Sequence, residues 1–237
     1  MQPYEVARGQ TLASPEAAAE RISAFLRSVY AWMCGGLAIT AVTASVVAAS
    51  PAIVGAIAGN RVLFWAIVIA QLGLVMVLSG RVQSLAASTA SMLFIAYSAL
   101  TGVTLSFVLL VFTQESIATT FLVTAGMFGA LAAYGTFTSK SLAGWSQFLF
   151  MGLVGVVLAS IVGIFWQSSG LQFVITFAGV IVFTGLTAYD ANRLRAMAVT
   201  MPAGQIGSYA IVGALALYLD FINLFLMLLR IFGDRRR

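Results

Sequence analysis

Seven long apolar stretches constrain this chain more than any other feature of its sequence. They fall at roughly residues 29–49, 62–79, 86–112, 117–137, 146–166, 171–190 and 206–231. A membrane-spanning α-helix needs about 20 predominantly apolar residues, and each stretch comes near that length or exceeds it. Turn residues and charges mark the short breaks, as at Ser50-Pro51, Gly59-Asn60-Arg61 and Pro202. The pattern predicts an all-α, polytopic membrane protein with a bundle of seven transmembrane helices.

The composition leaves no room for a separate soluble domain. Hydrophobic residues make up 61% of the 237 residues and charged residues only 8%, whereas a soluble domain needs a far more polar surface. We therefore predict three segments: a cytosolic N-terminal tail over residues 1–28, a seven-helix transmembrane domain over 29–231, and a basic C-terminal tail over 232–237.

The positive charge is distributed as membrane topology requires, and it does not indicate a nucleic-acid partner. The formal charge is +5, but the basic residues stand singly at the ends of apolar stretches, apart from the run 235–237. With a cytoplasmic N-terminus, the inside segments hold Arg8, Arg21, Arg27, Arg81, Lys140, Arg193 and Arg195, and the first three outside loops hold only Arg61. This excess of inside cations favours that orientation. Seven full crossings would place the run 235–237 outside, and a re-entrant last helix would return it to the inside; the pattern favours seven crossings.

Several chemistries lack their residues. The chain contains no histidine and a single cysteine, Cys34, so zinc ligation, disulfides and histidine acid/base chemistry are not expected. The only lysine, Lys140, lies in a predicted loop. We expect no cofactor, no firm metal site and no enzymatic activity.

Two aspartates lie inside apolar stretches. They are Asp190, near the end of the sixth, and Asp220, within the seventh. An ionisable group at bilayer depth costs at least about 2.5 to 3.5 kcal/mol, so it indicates a functional site by default. Steps of three and four from Asp220 reach small or polar residues such as Gly213 and Asn223. Because the sixth and seventh helices are consecutive and antiparallel, the faces that carry the two aspartates can meet near the inner leaflet.

If the carboxyl groups meet, they cannot both ionise cheaply and should share a proton. Such a pair is a pH switch, which holds two helices together when singly protonated and repels when fully ionised. Repulsion would open a path lined by the oxygen ligands that calcium accepts.

Other readings of the same residues remain open. Asp190 could instead pair at the membrane surface with Arg193, three residues further along the helix, and Asp220 could be a buried hydrogen-bonding residue. Arg81, at the inner end of the second helix, could bind the pair or act as an anchor. The two aspartates also match the plan of an intramembrane aspartyl protease, although the Gly-x-Gly-Asp turn of that family is absent before Asp220.

The stretches around both aspartates resemble the Bax inhibitor family, also called the transmembrane Bax-inhibitor-motif family, in its bacterial branch. They read FTGLTAYD from Phe183 and ALALYLDFINLFLMLLRIFG from Ala214. Supporting stretches read YGTFTSKSLAGW from Tyr134, FLFMGLVGVVLAS from Phe148, YSALTGVTLS from Tyr97 and VYAWMCGGLAITA from Val29. Together they extend over nearly the whole chain after the tail.

The resemblance implies a bundle with its last helix at the centre and a pH-sensitive leak pathway for calcium and other cations. By motif position, Asp190 and Asp220 are the gating pair, which cations contact only transiently, and Arg81 is the latch that closes it. From its place three residues after Asp220 on the same face, we expect Asn223 to be a polar neighbour on the pore face. The expected partners are the lipid bilayer of a bacterial inner membrane, calcium ions and protons.

The resemblance also implies an alternative function. The protein would then be a non-conducting regulator that binds other membrane proteins, such as a quality-control protease. The sequence also departs from the family just after the first aspartate: it reads Asp190-Ala191-Asn192-Arg193 where the family often has Asp-Thr-Gln, so the local polar contacts should differ.

Overall fold

The computed structural model describes residues 15–81, 84–166, 168–202 and 204–236. Within these residues the chain forms eight α-helices and one short 3-10 turn at Ala143–Trp145. The helices are α1 (Pro15–Ala48), α2 (Pro51–Gly59), α3 (Arg61–Gly80), α4 (Ala87–Val111), α5 (Gln114–Phe137), α6 (Ser146–Phe165), α7 (Ser169–Thr200) and α8 (Ile206–Phe232).

All of these helices except α2 are long and apolar enough to cross a membrane. The prediction of an all-α, seven-span membrane protein is therefore confirmed. Two helices extend beyond their apolar stretches: α1 begins at Pro15, within the predicted tail, and α7 continues to Thr200. The first fourteen residues of that tail lie outside the described residues.

The helix starts follow the turn signals of the sequence. Pro51 occupies the first turn of α2, where its missing N–H breaks no helical hydrogen bond. The Asn60 side chain accepts hydrogen bonds from the backbone N–H groups of Val62 and Leu63 at 3.0 and 3.1 Å. Thr113 accepts one from Ser116 at the start of α5. These side chains satisfy amide groups that the first turn of a helix leaves without a partner.

The last helix lies at the centre of the bundle, as predicted. In its most apolar window, 67% of the residues are buried inside the protein, compared with 6% for α3 and 17% for α6. Helix α8 packs against α1, α4, α5 and α7, and α3 and α6 form the rim. The side chains of α8 therefore face protein rather than lipid, which makes it the helix that can hold polar groups.

The C-terminal segment shows that α8 runs from one end of the bundle to the other. The Thr113 N–H donates to the carbonyl oxygen of Asp234 at 3.0 Å, and the Arg236 N–H donates to that of Val111 at 2.9 Å. The segment after α8 thus lies against the α4–α5 connection. We call this the C-terminal end of the bundle, and we call the opposite end, where α1 begins, the N-terminal end. A re-entrant last helix does not fit this arrangement.

Candidate functional site

The structure brings Asp190 and Asp220 together. Asp190 lies in the C-terminal third of α7 and Asp220 lies near the middle of α8. The two helices run antiparallel and pack along their length. The two carboxyl groups consequently lie within hydrogen-bonding reach of each other.

The pair is buried mainly on its Asp220 side. Asp220 is only 4% exposed, whereas Asp190 is half-buried. The Oδ2 atom of Asp220 is buried and has no hydrogen-bond partner among the described residues. Two carboxylates in contact, away from water, repel strongly, so a single proton held between them is the arrangement that costs least. This closeness is what sharing of a proton between Asp190 and Asp220 requires.

Cationic side chains from several elements lie at the N-terminal end of the bundle. Arg193 is exposed, three residues beyond Asp190, and acts electrostatically on it. Arg21 of α1 donates to the carbonyl oxygen of Met201, and Arg195 donates to that of Thr138 at 2.9 Å. Lys140 is exposed in the α5–α6 connection. None of them forms an ion pair with Asp190 in the part of the chain that the structure describes, so Asp220 is its direct partner.

Arg81 does not reach the pair in this structure. It follows the last residue of α3 and is exposed, and its backbone N–H donates to the carbonyl oxygen of Val77 at 3.1 Å. Its guanidinium makes no hydrogen bond or ion pair with any described residue. The latch role of Arg81 therefore stays a prediction.

Asn223 lies one turn beyond Asp220 on α8 and lines a cavity of about 420 Å³ between α6, α7 and α8. Its side-chain amide donates to the carbonyl oxygen of Leu219 at 2.8 Å, which leaves its side-chain oxygen free to face the cavity. The other polar lining residues are Ser160, Gln172 and Arg230. A largely apolar cavity that contains a few polar side chains thus begins one helical turn from Asp220 and extends toward the C-terminal end.

A buried hydroxyl cluster holds α8 beside the pair, and the sequence analysis did not identify it. The hydroxyl groups of Thr40 and Tyr218 lie 2.6 Å apart, and Thr40 also lies 2.9 Å from the carbonyl oxygen of Ser98. Tyr218 stacks edge-on against Tyr97, with ring centroids 5.8 Å apart. A buried tyrosine usually finds a partner for its hydroxyl group. The position of Tyr218 within an apolar stretch was therefore the one feature of the sequence that could have indicated this cluster.

A second polar contact holds the α5–α6 connection against α7, two residues after Asp190. The side-chain oxygen of Asn192 accepts from the Leu142 N–H at 3.1 Å. Its amide donates to the carbonyl oxygen of Gly135 at 3.0 Å and to that of Lys140 at 3.4 Å. Asn192 was visible in the sequence only as a departure from the family pattern, and the structure gives that departure a role.

A resident metal site is not formed by the described residues, where no group of three or more histidine, cysteine, aspartate or glutamate side chains could hold an ion. Asp190 and Asp220 supply two carboxyl groups without a third anionic ligand. Stable binding of calcium in proteins usually takes about six to eight oxygen ligands.

Comparison with known proteins gives consistent matches over most of the chain. The family model described as "Inhibitor of apoptosis-promoting Bax1" matches residues 22–237. The inner membrane protein YbhL of Escherichia coli (strain K12) is 49% identical over 232 residues, which are 97% of this chain and 98% of that protein. An uncharacterized protein of Borreliella burgdorferi is 44% identical over 90% of this chain and 92% of its own length. An uncharacterized membrane protein of Streptococcus pyogenes serotype M6 is 36% identical over 76% and 79%.

Proposed function

This chain belongs to the Bax inhibitor family, and from that premise we propose that it is a pH-sensitive leak pathway for calcium and other cations across a bacterial inner membrane. Asp190 and Asp220 form the gate, Asn223 is its polar neighbour on the pore face, and Arg81 is the latch. The N-terminus lies in the cytoplasm.

The observation that carries this proposal is the contact between the two carboxyl groups, with the buried Oδ2 of Asp220 unpartnered. While one proton is shared, a hydrogen bond joins α7 to α8. When that proton leaves, two negative charges face each other in a medium of low dielectric constant, where their repulsion is far stronger than in water. The helices then separate at this point, and conduction rises as pH rises.

The few polar side chains of the cavity beside Asn223 support a route that continues from the gate. Ser160, Gln172 and Asn223 offer hydroxyl and amide oxygens along α6, α7 and α8, which are the ligands that hard cations such as calcium accept. Cations that pass the opened carboxyl pair would therefore meet oxygen ligands on their way to the C-terminal end.

An intramembrane protease fits the structure less well. Its chemistry also needs two aspartates in contact, but α8 runs as continuous helix through Asp220, with Leu217 and Phe221 buried on either side. No break in the helix exposes the carboxyl group to a peptide.

The first test is calcium flux into dye-loaded proteoliposomes between about pH 5 and 8, the range in which a coupled carboxyl pair can titrate. The wild type should conduct more at the upper end. Asp190→Asn and Asp220→Asn should each lose this pH dependence, because an amide in place of one carboxyl group removes the shared proton. Asp234→Asn, which alters an exposed carboxyl group at the C-terminal end, is the matched control and should behave as wild type.

Two results would contradict the proposal. If the mutants keep the wild-type pH profile, Asp190 and Asp220 are not the gate. If flux is no greater than that of empty liposomes, the protein is not a leak pathway. The family alternative, a non-conducting regulator that binds other membrane proteins, would then take its place and predicts that a pull-down from membranes recovers a partner.

The latch is tested by a second pair of variants. If Arg81 closes over the carboxyl pair, Arg81→Gln should raise flux at low pH, where the wild type is closed. If Arg193 holds Asp190 instead, Arg193→Gln should have that effect and Arg81→Gln should not. Calcium flux at fixed pH, compared between the two variants, separates the two assignments.

A further inference from the structure

A second, larger cavity of about 890 Å³ opens at the C-terminal end of the bundle, between α4, α7 and α8. Its wall is largely apolar and includes Leu105, Val108 and Leu229. Phe173, on its edge, is 67% exposed. Because these residues belong to membrane-spanning helices, the groove opens toward the hydrocarbon of the bilayer, and an acyl chain is the material that would fill it.

The rim of this groove is cationic. Arg230, in the last turn of α8, and Arg235, just after the helix, both line it and are both exposed. Arg235 belongs to a segment held against the α4–α5 connection by the hydrogen bonds of Asp234 and Arg236. The two guanidinium groups are therefore presented from an anchored position at the level where a helix leaves the membrane.

These two charges are not neutralised by the protein. The acidic residues at this end are Glu115 and Asp234, and both are exposed. Within the described residues, neither forms an ion pair with Arg230 or Arg235, and the two guanidinium groups make no hydrogen bonds. Guanidinium groups match phosphate oxygens in charge and in geometry, and can bind them through two parallel hydrogen bonds. Gln172, on the same rim, adds an amide donor.

We infer that this groove binds one anionic phospholipid. Its phosphate lies between Arg230 and Arg235, and one acyl chain lies along Leu105, Val108 and Phe173. Two unpaired cations favour a headgroup with a net negative charge over a zwitterionic one, whose own cation would face the arginines. The groove does not include the carboxyl pair, although Arg230 and Gln172 also line the cavity beside Asn223. Lipid binding is measured without ion flux, so this inference does not depend on ion conduction.

The test uses the full chain in detergent and native mass spectrometry, titrated with phosphatidylglycerol or phosphatidylcholine. The wild type should bind phosphatidylglycerol about tenfold more tightly, a ratio typical of a well-placed charged contact. The double variant Arg230→Gln/Arg235→Gln should lower phosphatidylglycerol binding to the phosphatidylcholine level. Arg61→Gln, which removes an exposed arginine at the same end of the bundle but outside the groove, should keep the preference.

A second variant separates a lipid from a free phosphate ion. Val108→Trp leaves both arginines in place and fills the apolar groove, so it should reduce phosphatidylglycerol binding. If Val108→Trp binds this lipid as the wild type does and inorganic phosphate displaces it, the groove holds a free anion and the inference is wrong. Equal binding by the double variant and by Arg61→Gln would also overturn it. If the double variant does not fold, Arg235→Gln replaces it, since Arg235 lies outside the helices.

Discussion

Asp220 is buried in the most enclosed helix of the protein, and its neighbour there is another carboxyl group. An arginine partner would have fixed the charge of Asp220 permanently. A second carboxyl group makes its charge depend on a proton instead. Under the proposed function, the residue that costs most to insert into the membrane is also the one whose interactions change with pH.

This arrangement predicts a pH dependence of stability that is measurable without ion flux. The shared proton stabilises the contact between α7 and α8, so the thermal midpoint of the purified protein should fall as pH rises from about 5 to 8. In Asp190→Asn the amide can donate to the Asp220 carboxylate at any pH, and the slope should largely disappear. Circular dichroism melting curves would measure both.

Glu115→Gln serves as the control for that measurement, because Glu115 is exposed in the first turn of α5. It should keep the wild-type slope. A wild-type midpoint that stays constant over this range would show that the pair does not exchange its proton there.

At the scale of the helices, the site depends on how closely α5 approaches α7. A methyl group added at Gly135 would overlap the backbone carbonyl of Ala188, two residues before Asp190. Asn192 and Arg195 then join α7 to the loop that follows α5. These contacts hold the part of α7 that carries Asp190, which gives the carboxyl group a defined position opposite Asp220.

The close contact at Gly135 predicts that the size of the side chain at this position of α5 strongly affects the stability of the protein. Gly135→Val should push α5 away from α7 and destabilise the protein by about 1 to 3 kcal/mol, the usual cost of overpacking. Gly129→Val, in the same helix, should cost far less, because a methyl group there meets no neighbouring atom within 4 Å. Thermal or denaturant unfolding in detergent compares the two, and equal losses would contradict this account.

At the scale of the whole molecule, the packing places different charged residues at the two ends of the bundle. The N-terminal end carries most of the basic connections, together with Arg81 and Arg193, and the C-terminal end carries the lipid groove with Arg230 and Arg235. The carboxyl pair lies between them on α7 and α8. Seven crossings place the two ends on opposite sides of the membrane.

Labelling of single cysteines tests this topology. In a Cys34→Ser background, Ser139→Cys in the α5–α6 connection should react only from the cytoplasm, and Asp234→Cys should react only from the other side. An impermeant maleimide applied to intact cells and to inverted vesicles makes the measurement. Labelling of both positions from one side would contradict seven crossings, and a reversed result would contradict the cytoplasmic N-terminus.

Much of the architecture could be predicted because its causes are local in the sequence. The number of membrane spans follows from the number and length of the apolar stretches. Asp190 and Asp220 could be identified as candidate functional residues because carboxyl groups are rare within such stretches. The stretches around both residues also indicated the family correctly. Helix ends were less predictable, since α7 continues past its apolar stretch as far as Thr200, where contacts with other elements stabilise it.

The sequence by itself thus determined the class of protein, the number of crossings and which two acidic residues could serve a gate. Only the tertiary structure decided that Asp190 touches Asp220 rather than Arg193, that Arg81 stands apart from them, and that Arg230 and Arg235 share one groove. The physical reason is that hydrophobicity is a property of each segment, whereas these contacts depend on which faces of separate helices meet. Helices surrounded by lipid associate through close packing rather than through their average polarity, and that packing involves side chains far apart in the chain.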